Sequence, residues 1–235
     1  MFNSFANYFS MIKPYLKPLL HLFFPFRCYG CGLELLAQES GVCVFCESGL
    51  AYTFNQIELP PHLIAESIRI HALFYYRKEH VAQALLHALK YKHERELCFD
   101  WGVTLAKTIK KEAIEMPDCL IPVPLHPKKK FARGYNQSEL LAKGIQAEFP
   151  EIQVDLDTII RKKNNKSQTG KNKFNRLTDV YNAFELHPDA ISTYKHIGLV
   201  DDVVTTGATL KGLLDLIKSK DPDIRITIFV LAVTK

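Results

Sequence analysis

Asp201-Asp202-Val203-Val204-Thr205-Thr206-Gly207-Ala208-Thr209, led in by Ile197-Gly198-Leu199-Val200 and followed by Leu210-Lys211-Gly212-Leu213-Leu214, decides the fold. An apolar run ending in two acids, a loop of small hydroxyl residues and then a helical pattern read as a buried parallel strand turning into a helix. The first backbone N–H groups of that helix have no partner within it, so its start is a ready seat for an anion. Thr205, Thr206 and Thr209 each add a hydroxyl donor. Gly207 permits positive φ and close approach of the backbone, so a monophosphate can be held without lysine. The paired acids suit sugar hydroxyls or Mg²⁺. The plainer alternative is an ordinary strand-loop-helix connection with a threonine cap and two surface acids. The stretch lacks the G-x-x-x-x-G-K-[ST] of a P-loop and the G-x-G-x-x-G of a dinucleotide site, which argues against both of those classes.

Outward from this stretch, the hydrophobic pattern predicts a strand over 68–76, helices over 79–92 and 96–115, and a strand at Cys119–Val123. It continues with a helix over 136–148, a strand near 153–160, a helix near 171–183, the strand before Asp201, a helix from about 208 and a strand over 224–233. Alternation of this kind implies an α/β fold, a parallel sheet flanked by helices, with ligands at the carboxyl ends of the strands near the switch in strand order. The 235 residues, 47% hydrophobic and 23% charged, suffice for one such domain plus something small. A net charge of +5 suits anionic ligands without demanding nucleic acid.

Four of the six cysteines form two C-x-x-C pairs, Cys28/Cys31 and Cys43/Cys46. Two knuckles offering two thiolates each can close a tetrahedron around structural Zn²⁺. Two disulfides are the alternative, disfavoured beside an α/β domain without a secretory signal; thiol redox chemistry would use such a pair once, after a strand. Cys98 and Cys119 fall on an apolar helix face and in a strand, and read as core residues. Upstream, Phe2, Phe5, Phe9, Ile12, Leu16, Leu19 and Phe23 make a helical stripe interrupted by Pro14 and Pro18. Lys13, Lys17 and His21 break it well short of a spanning length, so no transmembrane segment is expected and a cytoplasmic location is. The stripe fits packing on its own protein, or docking on a membrane surface or partner. A linker around 55–66 divides the chain into an N-terminal helix plus four-cysteine zinc-ribbon domain, 1–58, and an α/β domain, 59–235.

Two more segments fit an anion site. Pro122-Val123-Pro124-Leu125-His126-Pro127 leaves a strand as a stiff extended turn, followed by the cluster Lys128, Lys129, Lys130 and Arg133. Residues 161–176 hold five lysines, two arginines and no acid, and could close over an anion as a lid; a solvated charge run is the plain alternative for either segment.

Taken in order, Cys28 to Cys46, Leu89-Lys90-Tyr91-Lys92, Pro122 to His126, Arg133-Gly134-Tyr135-Asn136-Gln137, Lys166-Ser167-Gln168-Thr169-Gly170, Arg176 with Ala183-Phe184, and Asp201 to Leu210 resemble the ComF family, competence-associated proteins similar to type I phosphoribosyltransferases. Asp179 and Lys171 depart from that pattern, both in the lid segment. The resemblance implies that Asp201 and Asp202 hold the ribose hydroxyls of phosphoribosyl pyrophosphate (PRPP), with Mg²⁺, and that Thr205, Thr206, Gly207, Ala208 and Thr209 wrap its 5′-phosphate. Pro124, Leu125, His126, Arg133, Gln168 and Arg176 would then form the pyrophosphate turn and lid. It implies transfer of phosphoribosyl to an acceptor that no segment identifies, in the setting of DNA uptake. The competing expectation is a non-catalytic PRPP sensor or single-stranded-DNA-binding adaptor among competence-machinery proteins. Phe131, Tyr135 and Phe174 would then be available for stacking, although anchoring the loops to the core is the simpler role.

Overall fold

The computed structural model describes residues 25–54, 57, 67–78, 80–91, 94–161, 183–187 and 191–234. Its helices are α1 Val44–Ser48, α2 Val81–Tyr91, α3 Arg95–Lys111, α4 Pro127–Arg133, α5 Gln137–Glu148 and α6 Ala208–Lys218. Its strands are β1 Ile68–Tyr76, β2 Cys119–Pro122, β3 Gln153–Val154, β4 Ile159–Arg161, β5 Phe184–Leu186, β6 His196–Val204 and β7 Arg225–Thr234.

Five strands form one parallel sheet in the order β1-β7-β6-β2-β3. From β2 the chain moves outward to β3, whereas from β6 it moves the other way to β7. The order therefore switches between β2 and β6, and a crevice at their carboxyl ends is the ligand position this topology favours. The interior strands are apolar on both faces: Ile226 to Val233 of β7 are all buried, as expected of a sheet covered by helices on each side. One face carries Leu85 and Leu89 of α2, Trp101 and Leu105 of α3, and Leu141 and Ile145 of α5. The other carries Leu210, Leu213 and Ile217 of α6, with Phe184 and Leu186 of the β4-β5 hairpin.

Helices α3 and α5 touch through glycines. A Cβ on Gly144 would run into Phe99 O, Gly102 Cα and Val103 N, and one on Gly102 would meet Leu141 O. Because the obstacle is backbone, it cannot rotate away. Gly144→Ala should therefore cost about 1–3 kcal/mol, read as a lower denaturant midpoint.

Two expectations are corrected and one element is added. The strand expected near 153–160 is two: the Asp155 carboxylate accepts from the N–H groups of Asp157 and Thr158, both at 2.9 Å, and from Thr158 Oγ1 at 2.5 Å. That turn separates β3, in the main sheet, from β4, antiparallel to β5. The strand expected to end before Asp201 runs on to Val204, so both acids lie within it. The lysine cluster, to which the hydrophobic pattern assigns no element, is helix α4, with Pro127 in its first turn, His126 Nδ1 accepting from Lys128 N at 3.2 Å, and Gly134 at φ 76° closing it.

The helix expected near 171–183 lies outside the described residues, apart from Ala183 in a turn before β5. The stripe from Phe2 to Phe23 and the domain boundary between residues 58 and 59 also lie outside them. On the near side of that boundary the cysteine segment is joined to the sheet. Tyr52 bridges Phe74 on the outer edge of β1, Thr53 N donates to Leu73 O at 3.1 Å, and Tyr75 N donates to Ala51 O at 2.8 Å, which covers an otherwise open strand. Cys28, Leu35, Val42 and Cys43 share one buried cluster with Leu85, Leu89 and Trp101. Among the described residues no helix is long and apolar enough to cross a membrane.

Candidate phosphate and metal sites

At the carboxyl end of β6, Thr205 and Thr206 bend the chain, and Gly207 at φ 69° starts α6 without a side-chain cap. Positive φ is the geometry that glycine adopts without strain. Thr205, Thr206 and Thr209 are exposed while Gly207 is buried, so three hydroxyl side chains stand around a helix start that no cap closes. Thr206 Oγ1 accepts weakly from Ala208 N at 3.5 Å, and Thr205 O accepts from Thr234 Oγ1 at 2.9 Å, pinning the loop to the end of β7.

The acids just upstream are not equivalent. Asp202, 5% exposed, accepts from Lys90 Nζ at 2.9 Å and from Gln137 Nε2 at 3.3 Å. Asp201, half-buried, accepts from Ser138 Oγ at 3.0 Å and from Asp202 N at 2.9 Å. Burial and the neighbouring Asp202 carboxylate push Asp201 up to about 7. A carboxyl whose folded value lies above its unfolded value of about 3.9 binds its proton more tightly when folded. Stability then falls as pH rises from about 4 to about 7, and the full cost persists above that. Asp201→Asn removes the charge, so it should stabilise the ligand-free protein at pH 8 by about 1–3 kcal/mol and do little at pH 4. Denaturant titrations at the two pH values check this.

The exit from β2 is beside the acids. Asn136 Nδ2 donates to Val123 O at 3.1 Å and Asn136 Oδ1 caps α5 by accepting from Ser138 N at 3.2 Å. The same helix start thus holds the turn and, through Gln137 and Ser138, both acids. Arg161, at the end of β4, donates to Pro124 O at 3.4 Å, lies over the Phe184 ring at 5.0 Å and is within electrostatic reach of Asp201.

Of the residues singled out from sequence, Asp201, Asp202 and the 205–209 loop are contiguous, and Pro124 is tied to them through Arg161. His126 spends its Nδ1 on capping α4, and Arg133 lies over the Tyr91 ring at 5.1 Å, one residue from Lys90. Gln168 and Arg176 lie outside the described residues. Lys90, Gln137, Ser138 and Arg161 were not named as site residues. Lys90 and Gln137 do sit inside the family-like motifs, which was the available signal. Tyr135 anchors as expected, its hydroxyl donating to Leu89 O at 2.7 Å. Phe131 does not: it is 92% exposed. Phe174 lies outside the described residues.

Cys28, Cys31, Cys43 and Cys46 form the second site, with all four Sγ atoms within 4.8 Å of one another. A tetrahedral Zn²⁺ with bonds of about 2.3 Å has sulfur–sulfur edges of about 3.8 Å. Cys31 and Cys43 stand at 3.6 Å, and Gly30 N and Cys43 N donate to Cys28 Sγ at 3.4 and 3.3 Å. Burial raises the Cys28 thiol, but N–H donors from Cys31, Cys43 and Gly30 outweigh it and bring it to about 6, towards the thiolate a metal requires. All four are free thiols; the cluster could hold a metal ion. Cys98 and Cys119 are fully buried, as expected of core residues. A groove of about 650 Å³ runs between the knuckle, at Tyr29 and Gly30, and α2, at Val81 and His87. The cysteine cluster thus flanks the helix that delivers Lys90.

Residues 136–235 match the family described as phosphoribosyl transferase domain. Competence protein F of Haemophilus influenzae is 29% identical over 203 residues, 83% of this chain and 79% of that protein. DNA utilization protein YhgH of Escherichia coli O157:H7 is 26% identical over 223 residues, covering 82% of this chain and 91% of the relative. Competence protein ComFC of Bacillus subtilis is 24% identical over 188 residues, 78% and 74% of the two chains.

Proposed function

We propose that this chain, similar to competence proteins over most of its length and matching the phosphoribosyl transferase domain over residues 136–235, binds PRPP and transfers its phosphoribosyl group. The carrying observation is the start of α6 without a side-chain cap, with Gly207 at φ 69° five residues after Asp202, at the switch between β2 and β6. The 205–209 loop takes the 5′-phosphate through hydroxyls and helix N–H groups. Asp201 accepts from a ribose hydroxyl. Pro124 to His126 and Arg133 face the diphosphate; Gln168 and Arg176, which lie outside the described residues, are assigned to it by the family resemblance alone.

In the reaction the bond from C1 to the diphosphate oxygen breaks and the diphosphate leaves with the electron pair. An acceptor lone pair forms the new bond to C1, and the acceptor gives up a proton to solvent. Fixed orientation and cationic side chains near the leaving group carry such a step, so no protein nucleophile is assigned. Asp202, buried between Lys90 and Gln137, does not fit a metal ligand; Mg²⁺ belongs with the diphosphate itself, and no step is routed through it. The four cysteines hold Zn²⁺ within a metal-binding portion up to residue 58, ahead of a phosphoribosyltransferase portion from 59. The names of the relatives support a role in DNA uptake, and we place the protein in the cytoplasm.

One observation favours a second, adaptor-type reading. Phe131 stands exposed on basic helix α4, beside Lys128, Lys129 and Lys130, while Tyr91 carries Arg133 over its ring. Aromatic rings interleaved with cations suit stacked bases of single-stranded DNA. Pyrophosphate release from PRPP, measured with purines, pyrimidines, amines and single-stranded DNA as acceptors, separates the readings. Turnover supports the transferase; PRPP binding without turnover, together with salt-sensitive DNA binding lost in Phe131→Ala, supports the adaptor.

A further inference from the structure

Asp202 is a buried carboxylate at the end of a buried strand, and such a group is stable only when paired and hydrogen-bonded. Its partners come from two different elements. Lys90 reaches it from the last turn of α2 at 2.9 Å, and Gln137 from the first turn of α5 at 3.3 Å. The Lys90 side chain is 23% exposed against 7% for Asp202, so the lysine is the solvent-accessible member of the pair. Because its Nε2 faces Asp202, the Gln137 amide is oriented with Oε1 away from that acid. Oε1 is itself buried without a hydrogen-bond partner among the described residues. An acceptor left this way is matched by a donor arriving with a ligand, such as a sugar hydroxyl.

Resting on the phosphoribosyl reading of the same site, we propose that Lys90 is a positioning residue: its ammonium is the resident counter-cation of the acid pair, where a divalent ion would otherwise have to sit. The two acids then divide their work. Asp202 anchors Lys90 and Gln137, and Asp201 alone meets the ligand among the carboxylates. A fixed ammonium 2.9 Å from Asp202 and within electrostatic reach of Asp201 repels a second cation, so ligand-free protein does not collect Mg²⁺ at the pair. It also sets the separation between α2 and the β6 terminus, and with it the width of the crevice.

The test uses the full-length protein with its cysteine site loaded with zinc and Mn²⁺ as a paramagnetic probe, without PRPP. Wild type should show only weak, non-stoichiometric Mn²⁺ binding by electron paramagnetic resonance. Lys90→Met should create one site, tighter by roughly tenfold or more, that disappears in Lys90→Met with Asp202→Asn; the double variant also keeps a folded comparison if the single one is destabilised. PRPP affinity should fall roughly 10–100-fold in Lys90→Met and recover partly in Lys90→Arg. Stoichiometric Mn²⁺ at the acids of wild type, or PRPP affinity equal in wild type and a folded Lys90→Met protein, overturns the proposal. If wild type binds no PRPP at all, the phosphoribosyl reading fails, and the Mn²⁺ comparison still decides the place of Lys90.

Discussion

Cys43→Ser should strip the protein of its metal and lower its stability throughout, by several kcal/mol, since a structural zinc site commits on the order of 10 kcal/mol of binding free energy to folding. A separate zinc-ribbon domain over 1–58, the division expected from sequence, would confine the effect to that region. The shared buried cluster says otherwise: Cys28 and Cys43 pack with Leu85, Leu89 and Trp101 of the helices that cover the sheet. Tyr29 Oη donates to Glu94 at 2.6 Å and Trp101 Nε1 to Ser40 O at 3.2 Å, binding the knuckle to the start and middle of α3. Metal analysis should give one zinc per wild-type chain and almost none in the variant. Chemical denaturation should show one transition, moved as a whole. A metal-free wild-type protein containing two disulfides would contradict this account of the cysteines.

Gly207→Val should reduce PRPP affinity by roughly 100-fold or more, the scale on which a misplacement of about 1 Å acts at such sites. Valine at φ 69° is strained by its branched Cβ. Relief of that strain would turn the first N–H groups of α6 away from the phosphate, and the side chain would fill the seat. Gly207→Ala should fall between the two, because alanine strains the same dihedral with less bulk. Calorimetric titration with PRPP reads both variants. Undiminished affinity in folded Gly207→Val protein would mean that the phosphate sits elsewhere.

The parts of the site legible in sequence are those whose chemistry is local. The strand, threonine loop and glycine of 197–214 are consecutive, so their order already implies the turn and the helix start. The cysteine knuckles declare themselves by spacing, and β7 by an unbroken apolar run. What was missed depends on pairs far apart in the chain, such as Lys90 with Asp202 or Arg161 with Pro124. No periodicity reports those contacts. Helix α4 was missed for a different reason: Lys128 to Lys130 have no apolar face, although His126, Pro127 and Gly134 are its start and stop signals. The split at Asp155 was hidden because Ile152, Val154 and Leu156 alternate as in a strand and lead towards the apolar pair Ile159-Ile160, across a turn that the Asp155 side chain imposes.

The inequality of the acids also selects the decisive variant. Asp202→Asn alone leaves Lys90 without its carboxylate, so a loss of binding could reflect a disturbed helix. Asp201→Asn keeps the Lys90–Asp202 pair and the start of α5 intact. The most direct measurement is therefore calorimetric titration at pH 8, where the Asp201 carboxyl is ionised, of PRPP into zinc-loaded wild type and Asp201→Asn, with folding of both verified by denaturation. The account predicts saturable one-site binding to wild type, weakened roughly tenfold or more in the variant, as expected when a charged hydrogen bond to a ligand hydroxyl is lost. No binding to wild type, or equal binding to the two proteins, would contradict it.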